Sequence, residues 1–188
     1  GLAAEARRRH ALTYLCLPEP FEVHVVEGEA DLPRMREELL AAPAVGLDTE
    51  STMEQGEPCL LQLATGGMAF LVDLRGLGAS AALAEALAAV MSAPSPAKVG
   101  FDGRADLRQI ARGCPALACC ASVTNLVDVR DLEAARAAAE TGVPEKRAKE
   151  GLSLSALAER HLGRPLNKAM RVSDWRRRPL SPAQAAYA

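Results

Sequence analysis

Asp48 and Glu50 stand two residues apart at the end of the apolar run Val45-Gly46-Leu47, and Asp106 lies within the stretch from Lys98 to Leu107. Side chains alternate between the faces of a strand. Asp48 and Glu50 are therefore expected to point the same way from the end of a strand whose other residues are buried, with Asp106 joining them from a helix. Grouped carboxylates suit Mg²⁺ or Mn²⁺, hard cations that take oxygen ligands. Two such ions roughly 3.5–4 Å apart can activate a water and stabilise the leaving oxygen of a phosphodiester, so the chemistry indicated is two-metal hydrolysis. The pair alone has an ordinary alternative, because acidic residues at strand ends are as a rule solvated. Order and context along the chain decide between them.

The elements that must position these residues alternate as in a layered α/β domain. After the break Pro18-Glu19-Pro20, residues 21–26 read as an edge strand, and Asp31 is expected to cap a helix whose Leu32, Met35 and Leu39 share one face. The central strand is 45–50. Strands 59–64 and 68–73, joined by Thr65-Gly66-Gly67, form an antiparallel pair. Ser80 opens a helix that buries Leu83, Leu87, Val90 and Met91 and is broken by Pro94 and Pro96. Strand 98–101 follows, and Asp102 opens the helix bearing Asp106, either as its N-cap or as a residue facing the site. Strand 126–129 is the fifth of the core set. Asp73 and Asp128, each ending a strand, read as turn residues.

Helices are expected over 131–140 and 153–162, the second with Leu154, Leu157, Ala158 and Leu162 on one face, and a mobile polar loop over 141–150 between them. Ser181-Pro182-Ala183-Gln184 then starts a last helix with Ser at the N-cap, Pro at the first helical position and Gln three residues after the cap. Tyr187 falls in its second turn, either as a functional hydroxyl or as a packing residue with a wet hydroxyl. Trp175 reads as a hydrophobic anchor. Lys168, Arg171 and Arg176 to Arg178 form a basic stretch that either contacts phosphates or is solvated charge.

Composition sets outer limits. The 188 residues, 49% hydrophobic and 24% charged, can bury a sizeable core in one domain. No apolar run is long enough to span a bilayer. A net charge of −2 leaves no electrostatic footprint of nucleic-acid binding by itself. Cys16, Cys59, Cys114, Cys119 and Cys120 show no paired spacing of a zinc site and read as reduced intracellular thiols. Partial burial on its helix is the expectation for His161.

In type and order these residues resemble the DEDDy 3′-to-5′ exonucleases, the family of ribonuclease D, the proofreading domain of DNA polymerase I and the Werner-type helicase exonuclease. The likeness runs from about Phe21 to Ala188. Its first motif is similar to Val45-Gly46-Leu47-Asp48-Thr49-Glu50, followed by Cys59-Leu60-Leu61-Gln62-Leu63-Ala64-Thr65 and Phe70-Leu71-Val72-Asp73-Leu74. Its second is similar to the stretch from Lys98 to Leu107. Its third resembles Gly151-Leu152-Ser153-Leu154 through Asp174-Trp175-Arg176-Arg177-Arg178-Pro179-Leu180-Ser181 to Tyr187. The wording of the second and third is most similar to the Mutator-type silencing exonucleases of animals and their plant relatives, which act on RNA.

The resemblance implies a ribonuclease H-like α/β domain over 21–188, with a mixed five-stranded core sheet whose second strand is antiparallel, flanked by helices, after an extension or linker over 1–20. It implies that Asp48 bridges two Mg²⁺ or Mn²⁺ ions, Glu50 holds the ion that activates water, Asp106 helps to hold the other, and Tyr187 orients the nucleophile. Single-stranded RNA or DNA 3′ ends are the implied partners, RNA before DNA, with nucleoside 5′-monophosphates released. Lys168, Arg171, Arg176 and Arg177, from the basic stretch, are the candidate nucleic-acid contacts. An intracellular place is expected from the reduced cysteines, nuclear or cytoplasmic before organellar because Glu5 interrupts the Ala- and Arg-rich stretch from Gly1 to Leu17 that could be mistaken for a transit sequence. In the family a fourth carboxylate follows the motif tyrosine by four positions. That position, 191, is beyond Ala188, and the sequence begins with Gly1, so the chain is expected to be a piece of a longer protein, cut in the C-terminal helical part of the domain. Many relatives carry His-Asn where this chain has Phe101-Asp102. That departure supports the alternative, a binding or scaffold module that keeps the fold without hydrolysis.

Overall fold

The computed structural model describes residues 10–188, so the part of the expected extension over 1–9 lies outside the described residues. Two compact units divide the chain. One joins Phe21–Val129 to Val172–Ala188, and the other joins the described part of Gly1–Pro20 to Arg130–Arg171.

The first unit is built on a mixed six-stranded sheet of β1 (Glu22–Val26), β2 (Ala44–Ser51), β3 (Pro58–Ala64), β4 (Met68–Asp73), β5 (Ala97–Gly100) and β6 (Leu126–Asp128), in the order β1-β4-β3-β2-β5-β6. These are the five expected core strands plus the edge strand β1. The second core strand, β3, runs antiparallel to both β2 and β4, while β2, β5 and β6 are mutually parallel. Alternation does the sorting. Val45 and Leu47, Leu61 and Leu63, and Phe70 and Val72 all enter one buried cluster, whereas Gly46, Asp48 and Glu50 fall on the other face of β2.

Three helices cover the cluster: α1 (Leu32–Ala41), α3 (Ala81–Ser92) and α4 (Gly103–Gly113), with the short α2 (Leu74–Leu77) following β4. Leu32, Met35 and Leu39 of α1, and Leu83, Leu87, Val90 and Met91 of α3, are buried as their 3.6-residue period requires. Each such side chain contributes about 1.5–3 kcal/mol on burial. Ser80 accepts the Leu83 N–H at 3.1 Å and caps α3. Asp31 does not cap α1 with its side chain, because a 3₁₀ turn over Glu29–Asp31 already leads the chain into the helix. Lys98 is fully buried, its ammonium donating to the carbonyls of Ala93 at 2.6 Å and Pro96 at 2.9 Å. Desolvation holds its pKa below the usual lysine range.

The second unit holds α5 (Val129–Thr141), α6 (Glu145–Ala148) and α7 (Leu154–Leu162). The segment 141–150 is thus not a plain loop. Pro144 leads into a single helical turn there, too short for hydrophobic periodicity to announce it. Glu133 is buried and receives Arg136 at 2.6 Å, Arg160, and His161 at 3.3 Å. The hydrogen bond from Arg136, backed by Arg160, pushes its carboxyl down to about 2. His161 keeps 51% of its side chain exposed, so the expected burial is replaced by a contact with Glu133 at the surface. Leu162 is also exposed, and the apolar face of α7 reduces to the buried Leu157 and Ala158. Among the described residues no helix is long and apolar enough to cross a membrane, and all five cysteines are free thiols.

Candidate active site

β2, β5 and β6 run parallel, so their C-terminal ends lie along one edge of the sheet, the edge at which open α/β sheets gather ligands. That edge is acidic. Asp48 and Glu50 end β2, Asp102 follows β5, Asp128 ends β6 in register with Gly100, and Asp106 stands in the first turn of α4. Two glycines let α4 come close to β2. A Cβ at Gly103 would lie 2.8 Å from Leu47 Cδ1, and one at Gly100 would lie 2.9 Å from the same atom and 3.1 Å from the Gly103 Cα.

The carboxylates feel one another. Burial, with the charge of Asp48 behind it, raises Asp106 to about 6, Asp102 and Asp128 push in the same direction, and a hydrogen bond from Thr49 opposes them. Asp48 is exposed and accepts the Thr49 N–H at 2.8 Å. Glu50 is buried and accepts the Gln62 amide at 3.5 Å. Among the described residues, no group of three His, Cys, Asp or Glu side chains is arranged to hold a metal ion as it stands. The structure brings Asp106 into the field of Asp48 and of Asp102, the residue expected either to cap the helix or to face the site, and adds Asp128, which the reading of strand ends as turns passed over. The available signal was topological: each parallel strand carries an acidic residue at or just after its C-terminal end.

Asp102 occupies the N-cap position of α4 but makes no side-chain cap. Its φ of 56° and ψ of 20° are left-handed, a conformation that Asn and Asp tolerate better than other L-residues. Asp is thus a residue that this backbone accepts.

Tyr187 lies on α8 (Pro182–Tyr187), which begins as expected: Ser181 accepts the Gln184 N–H at 3.2 Å while Gln184 accepts the Ser181 N–H at 2.9 Å. Its half-buried ring meets Trp175 at a centroid distance of 5.9 Å, and Trp175 is the buried anchor that its apolar bulk suggests. The Gln184 amide also donates to Ser173 Oγ and the Asp174 carbonyl, fastening α8 to the segment before it. Arg178 is a strut. It donates to Asp73 Oδ1 at 2.5 Å and to the carbonyls of Cys59 and Trp175 at 2.9 Å, while Asp73 also accepts the Arg75 N–H. Arg176 is paired with Asp174 at 3.3 Å. Lys168, Arg171, Arg176 and Arg177 are all exposed, the first two in the second unit and the last two in the first.

Comparison with known proteins agrees with this architecture. A family model described as 3′-5′ exonuclease matches residues 23–188. The human protein "Exonuclease mut-7 homolog" is 33% identical over 190 residues, which cover 93% of this chain and 22% of that protein. The chain thus spans about a fifth of that relative. Among solved structures, the Aedes aegypti Nibbler EXO domain superposes with a TM-score of 0.75 at 22% identity, covering 93% of this chain and 84% of that one. Escherichia coli RNase D superposes with a TM-score of 0.68 at 25% identity, covering 88% and 40%. The chain belongs to the 3′-5′ exonuclease family, on its RNase D and Mut-7 side.

Proposed function

We propose that residues 21–188 act as a metal-dependent 3′-to-5′ exonuclease domain that removes nucleoside 5′-monophosphates from single-stranded ends, RNA before DNA. The observation that carries this reading is the acidic edge, where burial and neighbouring carboxylates raise Asp106 to about 6. Its donors are all carboxylate oxygens, which fit hard divalent cations. Asp48, Glu50 and Asp106 would hold Mg²⁺ or Mn²⁺. Once bound, such ions lower the pKa of water and stabilise charge on the phosphoryl oxygens.

The chain's own residues supply position. The Thr49 N–H aims one Asp48 oxygen, Gln62 fixes Glu50, and the capping box and Trp175 hold the Tyr187 ring, whose hydroxyl orients the attacking water. Exposed Arg177, with Lys168, Arg171 and Arg176, contacts backbone phosphates. The RNA preference draws on E. coli RNase D, an exoribonuclease involved in structured RNA processing. The left-handed backbone at Asp102 suits an Asp, so that member of the Phe101-Asp102 pair lends no support to a module without hydrolysis. The free thiols fit an intracellular, nuclear or cytoplasmic place.

The test is a 5′-labelled single-stranded RNA and its DNA counterpart incubated with the chain in Mg²⁺, Mn²⁺ or EDTA. Stepwise shortening of RNA faster than DNA, with metal only, is expected. Shortening that persists in EDTA would refute the cation requirement, and equal rates would refute the RNA preference.

A further inference from the structure

β2 and α4 carry the carboxylates of the candidate site, and Gln109 joins the two elements in addition to the hydrogen bond from Thr49 to Asp106. Gln109 lies three residues after Asp106, on the same face of α4. Its amide nitrogen donates to Ser51 Oγ at 3.2 Å and to the Gly56 carbonyl. Ser51 directly follows Glu50, at the point where the β2–β3 register slips. Such a bulge re-aims the side chains beside it. The turn beyond it is closed on itself, with Thr52 N–H donating to the Glu57 carbonyl at 2.9 Å, Glu57 N–H to Thr52 Oγ1 at 2.9 Å, and Gly56 N–H to the Thr52 carbonyl at 3.0 Å. Gly56 has a φ of +63°, and a Cβ there would lie 2.9 Å from Gln109 Nε2. The missing side chain is what allows the amide to seat.

We propose that Gln109 is a positioning residue: by clamping the β2–β3 turn and the bulge at Ser51 to α4, it sets where Glu50 and Asp48 stand relative to Asp106. The clamp lies one helical turn from Asp106 on one side and one residue from Glu50 on the other. Freeing it removes the tie at the Ser51 end of β2, so that Glu50 can shift relative to Asp106 even with the Thr49 hydrogen bond in place. A displacement near 1 Å is enough to cost a reaction of this kind orders of magnitude. The inference rests on the exonuclease reading for its consequence in turnover, and on the geometry alone for its consequence in cation binding.

Two variants attack the same contact from opposite sides: Gln109→Met, of similar length without a donor, and Gly56→Ala, which crowds the amide. Mn²⁺ binding by calorimetry, kcat and KM on single-stranded RNA, and the melting temperature in EDTA are measured for each and for the double variant. The expected result is at least about a tenfold fall in kcat with KM within about twofold, and Mn²⁺ affinity weakened about threefold or more. The double variant should be no worse than the poorer single one, as a shared contact requires. A lowered melting temperature with unchanged kcat and Mn²⁺ affinity in either folded variant would overturn the proposal, as would a loss confined to KM. Wild-type chain that binds Mn²⁺ but shortens no RNA counts against the exonuclease reading alone, and the Mn²⁺ affinities then decide the clamp. No Mn²⁺ binding by the wild type overturns both.

Discussion

Between about pH 4 and pH 6 the Asp106 carboxyl of the folded chain keeps a proton that the unfolded chain has released, because burial and Asp48 raise it from 3.8 to about 6. The native state then binds more protons than the unfolded one, so stability falls as pH rises through that window and stays reduced above it. At 1.36 kcal/mol per unit the full shift is worth about 3 kcal/mol, and partial solvent contact trims this to roughly 1–2 kcal/mol. Asp106→Asn should accordingly stabilise the metal-free chain by about 1–2 kcal/mol at pH 7 and by nothing below pH 3.8. Urea titrations of both proteins at the two pH values would show it, and a destabilised variant at pH 7 would make Asp106 a structural residue. Arg178→Ala belongs to the opposite class. It removes one partner of a pair that is 21% and 10% exposed, and should cost about 3 kcal/mol or more at pH 7. Equal denaturation midpoints for it and the wild type would show that the strut carries no load.

At the scale of elements, α8 is six residues long and too short to persist without caps and packing. Ser181→Ala should remove about 1 kcal/mol from the helix end and reduce RNA turnover by a larger factor than its small effect on the melting temperature would suggest, because Tyr187 loses its fixed platform. Tyr187→Phe, which keeps the packing on Trp175, should lower kcat and leave the melting temperature alone. Unchanged kcat in Tyr187→Phe would leave the tyrosine a packing residue. The sheet and its three covering helices were legible because period-2 and period-3.6 burial is written directly into residues such as Leu61, Leu63, Leu83 and Leu87. The capping box at Ser181 was legible because cap chemistry is local. What escaped depends on geometry that no local pattern encodes. The 3₁₀ stretch Pro115–Ala121 and the single turn α6 are too short to show a period. The positive φ of Asp102, the Arg178 strut reaching back more than a hundred residues to Asp73, and the Gln109 clamp all arise from tertiary closure.

For the molecule as a whole, charge is unevenly shared. The stretch 130–171 carries nine Lys and Arg against six Asp and Glu, whereas 21–129 with 172–188 carries ten against sixteen. The unit bearing the candidate site therefore repels nucleic acid until cations and its few exposed arginines offset the carboxylates. Binding of single-stranded RNA to an inactive Asp48→Ala chain should weaken as salt rises, and Arg177→Ala should reduce the slope of log affinity against log salt by roughly 0.7, whatever the RNA sequence. An unaltered slope would remove Arg177 from the interface.

The central claim is that Asp48, Glu50 and Asp106 perform cation-dependent removal of nucleotides from a 3′ end. A side-by-side time course of wild type and Asp48→Ala on 5′-labelled single-stranded RNA in Mn²⁺, with both proteins shown to be folded, tests it most directly. The account predicts a ladder that shortens one nucleotide at a time in the wild type and is slowed at least about a hundredfold in the variant. Intact RNA with the folded wild type, or the same ladder from both proteins, would contradict it.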